Sequence, residues 1–247
     1  MLSERELVRY GRQLLVSKLG KDGQLKLKRA RVAVIGVGGL GCTSSLYLAL
    51  AGVGKLLIVD SDRVELSNLN RQILHWTKDI GRLKVESAAE KLREVNPEIE
   101  VEAVAARVTE ENAHELIKEA DLVVDGLDNF KTRFLVNDAC VEQGKPFVHA
   151  AVHGLEGRLM TILPGESPCL RCLLPAEPPE VKPIPVLGAT AGVMGCLEAM
   201  EAVKVIAGVG KPAVGRLIVV DGLAMAVEEV RVERRPDCPA CSRRQQP

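Results

Sequence analysis

VAVIGVGGLGCTSSLYLALAGVGKLLIVD, residues Val32–Asp60, is the stretch on which the fold turns. Its apolar start reads as a buried strand, and its middle has the length and composition of a helix. KLLIVD then forms a second strand ending on an acid. Gly36, Gly38 and Gly41 make G-x-G-x-x-G at the strand-to-helix turn, with Gly39 inside the motif, and Asp60 follows about 20 residues later. That order is the fingerprint of a nucleotide-binding βαβ unit. The glycines alone leave open whether the ligand is NAD or another molecule with phosphates and a ribose.

Working outward, the pattern repeats. LKVESAAEKLREVN reads as a helix, EIEVEAVAARV as a strand, ENAHELIKEA as a helix and DLVVDGLD as a short buried strand. KPFVHAAVHGLEGRLMTILP reads as a strand pair, ATAGVMGCLEAMEAVKVIAG as a helix, and GRLIVVDGLAMAVEEVRVE as two closing strands. The expected fold is α/β: a Rossmann-like, mostly parallel sheet with helices on both faces and an antiparallel extension in its C-terminal part. One domain is expected over residues 1–247. It comprises an N-terminal helical arm (1–28), a nucleotide-binding core (29–163), a mobile crossover rich in Pro and Glu (164–187), and a C-terminal helix, strand and cysteine-knuckle segment (188–247).

The chain has 247 residues, with 33 Lys and Arg against 33 Asp and Glu. Zero net charge gives no global field to recruit nucleic acid or an anionic membrane. No apolar run reaches the roughly 20 residues needed to span a bilayer, and the charged N-terminus lacks a signal-peptide core. Seven cysteines without an export signal point to a reducing cytoplasm. Cys169 and Cys172 form CLRC, and Cys238 and Cys241 form CPAC. Two such knuckles suit a tetrahedral thiolate site for structural zinc, the other readings being a redox pair or a disulfide. Cys42, Cys140 and Cys196 read as buried small hydrophobes, Cys196 within a helix packed by Val193, Leu197 and Met200. His75, His114, His149 and His153 read as packing or surface residues.

After Asp60 comes DSDRVELSNLNRQILH, then GRLKVES. Arg71 and Lys84, with Asn68 and Gln72 alongside, place two cations and amide donors near a glycine-rich helix start, which suits a triphosphate. VVDGLDNFKTRFLVND puts Asp128 just past the end of a buried strand, where ligands of open parallel sheets bind. A carboxylate there, facing phosphates, is placed to hold Mg²⁺, and it could equally cap the helix that starts near Phe130. Arg133 reads as a structural ion-pair partner.

YGRQ (Tyr10–Gln13), GVGGLG, the Asp60/Asp62 pair, SNLNRQ, the GRLKVES lysine and LDNFKTR together resemble the adenylyltransferases of molybdopterin and thiamine biosynthesis, small relatives of the ubiquitin-activating enzymes. The resemblance runs from about residue 5 to the last cysteine knuckle. It implies binding of ATP and Mg²⁺ and adenylation of the C-terminal glycine carboxylate of a ubiquitin-like sulfur-carrier protein ending in Gly-Gly, with release of pyrophosphate. In that reading Gly36, Gly38, Gly39, Gly41, Asp60, Asp62, Asn68, Gln72 and Asn129 bind the nucleotide, Asp60 through the ribose hydroxyls. Arg71 and Lys84 neutralise the phosphates, Asp128 holds the magnesium, and Arg12 reaches across a homodimer. The crossover LLPAEPPEVKPIPVLGATAGVMG contains no cysteine, so the chemistry is expected to stop at the acyl-adenylate. Without a rhodanese-like extension, a separate sulfur donor is expected. An NAD-dependent oxidoreductase would be favoured if Arg71 and Lys84 faced away from the glycines. A non-catalytic partner-binding subunit would be favoured by loss of Arg71, Lys84 or Asp128.

Overall fold

β1 (Arg31–Ile35) lies inside an eight-stranded sheet, and its side chains alternate between two cores. Val32 and Val34 face one, Ala33 and Ile35 the other, so the strand reads as a continuous apolar run. The computed structural model of the chain describes residues 1–179 and 183–242. Residues 180–182 of the expected crossover and 243–247 of the C-terminal segment lie outside the described residues.

The arm consists of α1 (Glu4–Arg9), α2 (Gly11–Leu14) and α3 (Gly20–Arg29). Then follow α4 (Gly39–Ala51), β2 (Lys55–Val59), α5 (Lys84–Val95), β3 (Glu100–Val104), α6 (Ala113–Ile117), β4 (Leu122–Asp125) and α7 (Phe130–Gln143). β5 (Phe147–His153), β6 (Glu156–Ile162), α8 (Leu170–Leu173), α9 (Gly188–Ala207), β7 (Arg216–Asp221) and β8 (Ala226–Arg231) complete the order. The sheet runs β3-β2-β1-β4-β5-β6-β7-β8. Its first five strands pair parallel, and from β5 onward the pairing is antiparallel. The strand order reverses direction at β1/β4, the switch point that opens a crevice at the carboxyl ends of the strands. α3, α4, α5 and α9 share one core with the sheet, and α6, α7 and α8 share the other.

Three expectations are refined. The arm is broken into three helices rather than one continuous face. Side-chain amides explain how it docks: Gln13 and Gln24 both donate to the Ala51 carbonyl, and Asn96 donates to Ala49 O and to the Tyr10 hydroxyl. These bonds satisfy last-turn carbonyls of α4. The crossover, expected as mobile, is anchored at both ends. Ser167–Leu170 are buried, and Leu187 N–H donates to Gly154 O. The third is a correction and concerns α9, whose buried face carries Met194, Glu198, Ala199, Glu201 and Ala202. Val193 and Met200 therefore point outward and are about half exposed (50% and 57%), leaving Cys196 only partly covered. Gly188 and Gly195 explain that rotation: a Cβ at Gly188 would lie 2.3 Å from Asn70 O, and one at Gly195 would lie 2.6 Å from Thr43 Cβ. The helix thus turns Gly188 and Gly195, rather than Val193 and Met200, onto its neighbours.

Glu198 lies on this inner face with both carboxylate oxygens buried and unpartnered. Burial, with Asp125 nearby, raises its pKa well above the ordinary carboxylate value, although Arg133 opposes the shift. A raised carboxyl stays protonated in the fold while the unfolded chain ionises, so its cost appears as pH rises above about 4.3 and grows by about 1.4 kcal/mol per pH unit until the folded value is reached. Glu198→Gln removes that linkage. It should stabilise the protein by about 1–3 kcal/mol at pH 7.5, with the gain shrinking towards pH 4.5 in denaturant melts. An unchanged or lower midpoint at pH 7.5 would contradict a protonated Glu198.

Candidate active site

The glycine loop is built by close backbone contact. Gly36 has φ +91°, and a Cβ there would lie 2.6 Å from Gly126 O. A Cβ on Gly41 would fall 1.9 Å from Gly36 O. Gly38 differs, since an added Cβ would meet nothing nearer than 3.7 Å. An added Cβ there would make only ordinary van der Waals contact, so the fold itself needs no glycine, whereas a cradle for a closely approaching ligand does. At 13 residues, α4 starts from this loop with an unneutralised helix N-terminus, as no side chain caps it.

The predicted residues gather around that cradle to different degrees. Asp60 Oδ2 accepts from Val37 N–H at 2.8 Å, and Oδ1 accepts from Asp62 N–H at 2.8 Å, so this carboxylate braces the loop from the end of β2. Arg71 lies alongside Gly39, whose Cβ would be 3.6 Å from Arg71 Cγ. Its guanidinium donates to Ser67 O and Asn70 Oδ1. Lys84, at the start of α5, is 7% exposed and donates to Asp62 Oδ2 at 2.8 Å. Asp62 thus serves as the lysine's partner in the absence of ligand. Gln72 turns its amide to Gly38, with Nε2 3.9 Å from the Cβ position there, and its buried Oε1 has no protein partner. Asn68 is buried in a single helical turn, where its Oδ1 accepts from Glu65 N–H.

Across the crevice, α7 is capped by Asn129, whose Oδ1 accepts from Thr132 N–H at 2.9 Å. That assignment frees Asp128 from the capping role open to it in the sequence. Asp128 is exposed at the carboxyl edge of the sheet, and its only described contact is Asn129 Nδ2 at 3.3 Å. The segment 126–129 rests on a buried ionic layer that sequence reading missed, Arg133 excepted. Asp125 Oδ2 lies 3.1 Å from Arg133 Nε and 2.6 Å from His149 Nδ1. Burial opposes ionisation of Asp125, but Arg133 and His149 together hold its pKa below the ordinary value. Burial keeps His149 neutral, so its Nδ1–H donates to the carboxylate. An acid ending the apolar run LVVD was the available sequence signal.

Arg12 is not brought to this loop. α2 sits at the other end of α4: Gln13 holds the Ala51 carbonyl, and Tyr10 fills the space over Gly52. The length of α4, about 20 Å at 1.5 Å per residue, separates the exposed Arg12 from the glycines of its own chain.

The four knuckle cysteines converge. Cys169, Cys172, Cys238 and Cys241 are all buried, with their sulfurs within 4.8 Å of one another. Cys169–Cys238 and Cys172–Cys241 are separated by 3.6 and 3.4 Å. Burial pushes the Cys241 thiol up to about 11 and Cys169 higher still. At Cys238 burial is outweighed by hydrogen bonds from the Cys241 and Ala240 backbone and from the neighbouring cysteines, which bring it down, so a cation is needed to ionise Cys169 and Cys241. These spacings suit sulfurs at the corners of a tetrahedron, which lie about 3.8 Å apart around a metal with 2.3 Å bonds.

Among the described residues, no helix is long and apolar enough to cross a membrane. The profile of the ThiF family matches residues 10–240. The SAMP-activating enzyme E1 of Haloferax volcanii is 44% identical over 246 residues, covering 97% of this chain and 90% of that protein. The sulfur carrier protein adenylyltransferase of Thermus thermophilus is 45% identical over 250 residues, covering 97% and 92%. The crystal structure of E. coli MccB with ATP superposes with a TM-score of 0.84 at 26% identity, covering 95% of this chain and 74% of that one.

Proposed function

The chain belongs to the ThiF family, and on that premise we propose that it is an ATP-dependent adenylyltransferase that activates a ubiquitin-like sulfur-carrier protein. The carrier's C-terminal glycine carboxylate attacks the α-phosphorus of ATP. A carboxyl–phosphorus oxygen bond forms, the bond to the β-phosphate oxygen breaks, and pyrophosphate leaves with its electron pair. Both reactants are anionic, so the barrier is largely electrostatic repulsion that fixed cations lower. The observation that carries this reading is a glycine loop whose Gly38 the fold itself does not require, with Arg71 beside Gly39 and Lys84 paired to Asp62 next to the loop-bracing Asp60. It also disfavours an NAD-dependent oxidoreductase, which has no need for two cations there.

In this reading Asp60 takes the ribose hydroxyls, Arg71, Lys84 and Asn68 the phosphates, and Gln72 supplies the amide left unsatisfied in its buried position. Asp62 releases Lys84 to the nucleotide. Asp128, exposed and uncommitted to the α7 cap, would hold Mg²⁺, which neutralises phosphate charge when bound. Asn129 acts by fixing the α7 start beside it. The four cysteines would hold one structural Zn²⁺, tying the crossover to the C-terminal segment with no open position for catalysis.

A homodimer accounts for Arg12. Too far from its own loop, it would serve the phosphates bound by the partner subunit. Tyr47 and Leu50 of α4 and Val193 and Met200 of α9 form an outward apolar surface that a second copy would cover, with Tyr47 hydrogen-bonded to Cys196 within it. A cytoplasmic setting and a separate sulfur donor complete the reading.

Carrier-dependent exchange of labelled pyrophosphate into ATP tests the activity. Asp128→Ala should lower the exchange rate at least a hundredfold, about 3 kcal/mol, without changing the melting temperature. Exchange at the parental rate would remove Asp128 from the site. Metal analysis should find one zinc per chain, with Cys172→Ser losing the metal and lowering the melting temperature; four freely titratable thiols and no zinc would exclude the assignment. Arg12→Ala and Lys84→Ala should each be inactive alone. Mixed, they should recover roughly a quarter of parental activity, because half the dimers are hybrids with one intact site of two. Absence of recovery despite proven subunit exchange would place Arg12 outside the neighbouring site.

A further inference from the structure

Val37, between the first two loop glycines, has both of its peptide groups held from behind. Its N–H donates to Asp60, and its carbonyl accepts from two buried side chains: His75 Nε2 at 3.1 Å and Cys42 Sγ at 3.3 Å. His75 is 3% exposed, and its other ring nitrogen, Nδ1, lies 3.0 Å from Ser87 Oγ. We propose, resting on the adenylyltransferase reading, that His75 is a positioning residue for nucleotide: its Nε2–H pins the Val37 carbonyl and thereby aims the Gly38 N–H at the phosphates.

The proton positions follow from what each neighbour can give. A carbonyl only accepts, so the nitrogen facing Val37 must carry the hydrogen. Lys91 only donates, and its Nζ lies 2.9 Å from Ser87 Oγ. Ser87 therefore takes the lysine's hydrogen on a lone pair. Of the two acceptors in reach of its own O–H, His75 Nδ1 at 3.0 Å is nearer than Leu74 O at 3.3 Å, and the Nδ1 facing it is left to accept once Nε2 carries the hydrogen. The histidine is thus a neutral Nε2–H tautomer with both nitrogens satisfied. Burial lowers its pKa, Lys84 and Lys91 on α5 lower it further, and the Val37 carbonyl and Asp60 oppose them. Cys42 on α4 stays a thiol, pushed up to about 12 by burial, so its S–H remains a donor to the same carbonyl.

Planarity carries the effect to the ligand side. The Val37 C=O and the Gly38 N–H belong to one trans peptide and point in opposite directions. Fixing the carbonyl into the core turns the N–H away from it, on a half-buried residue where even an added Cβ would meet nothing nearer than 3.7 Å. The far end of the relay is rigid. Lys91 is paired with Asp79, which is fully buried and also accepts from Trp76 N–H and from Arg82. Burial opposes its ionisation, yet Lys91 and the Trp76 amide bring the Asp79 carboxyl down to about 2, so it remains charged. Lys91 also sits 4.9 Å from the Trp76 ring centre. One run of contacts therefore leads from Asp79 through Lys91, Ser87 and His75 to the glycine loop.

Two measurements test this. First, the affinities of the parent, His75→Gln and His75→Leu for ATP with Mg²⁺ are compared by calorimetry, with adenosine as the phosphate-free probe. Glutamine can return an amide N–H to the Val37 carbonyl and should stay within threefold of the parent for ATP. Leucine cannot, and should weaken ATP at least fivefold while changing adenosine less than twofold. Equal ATP affinity for leucine and parent, or parallel losses for ATP and adenosine, would overturn the proposal. A parent that binds no ATP would instead overturn the adenylyltransferase reading. Second, nitrogen-15 spectra of the parent at pH 7.5 without nucleotide should show His75 as the neutral Nε2–H tautomer. An Nδ1–H tautomer or a cation would overturn the proposal whatever the variants do.

Discussion

The contact of Gly36 with Gly41 and Gly126 governs the rest of the architecture. Three stretches of backbone meet there: the end of β1, the first turn of α4 and the end of β4. Built Cβ atoms at Gly41 and Gly126 would fall 1.9 and 2.2 Å from the Gly36 carbonyl oxygen, so no side chain at either position is compatible with the approach. Because the helix begins so close to the sheet, its N–H groups open at the carboxyl edge of the strands rather than over a face. Every charged group of the candidate site is then measured from that point. Asp60 comes from the end of β2, Asp128 from beyond β4, and Arg71 and Lys84 from the long connection between β2 and α5.

Two buried polar layers hold this junction from opposite sides. Behind the loop, Asp60, His75 and Cys42 bond both peptide groups of Val37. Beneath the 126–129 segment, Asp125, Arg133 and His149 form an ionic cluster in which Arg133 also donates to Leu127 O and Ala150 O. Buried polar networks of this kind are directional, whereas apolar contacts are not. They explain how a loop built from glycine, the residue with the most conformational freedom, is held in one shape before any ligand arrives. Asp62 and Lys84 extend the same principle to the surface. Their ion pair holds the largely buried Lys84 ammonium against an exposed carboxylate.

α9 and the cysteine cluster close the fold around the antiparallel half of the sheet. α9 turns Gly195 to α4 and Gly188 to the Asn70–Arg71 backbone, which fixes where Arg71 emerges. The cysteine cluster draws α8 and the 238–241 turn together on the other face, so the crossover departs from a rigid foot. The outward face of α9 is left apolar with Cys196 in it. Burial raises that thiol's pKa, the direction opposite to a nucleophile's need.

Much of this was legible in the chain itself. Apolar runs, the spacing of Gly36, Gly38 and Gly41, and the paired knuckles are local signals, since strand burial, tight turns and metal chelation each constrain residues a few positions apart. They determined the α/β order, the antiparallel extension and the four-cysteine cluster. Tertiary structure alone decided what depends on which side chain reaches a backbone group first. Asn129 rather than Asp128 caps α7, since its oxygen sits in reach of Thr132 N–H. Val193 and Met200 lie outward because Gly188 and Gly195 permit the closer approach. His75, one of four histidines with nothing in its neighbours to distinguish it, became the residue behind the loop through folding that sets it 38 positions away against Val37. The reach of Arg12 was settled likewise, by the length of α4 that stands between it and the glycines, a distance that motif spacing along the chain does not encode.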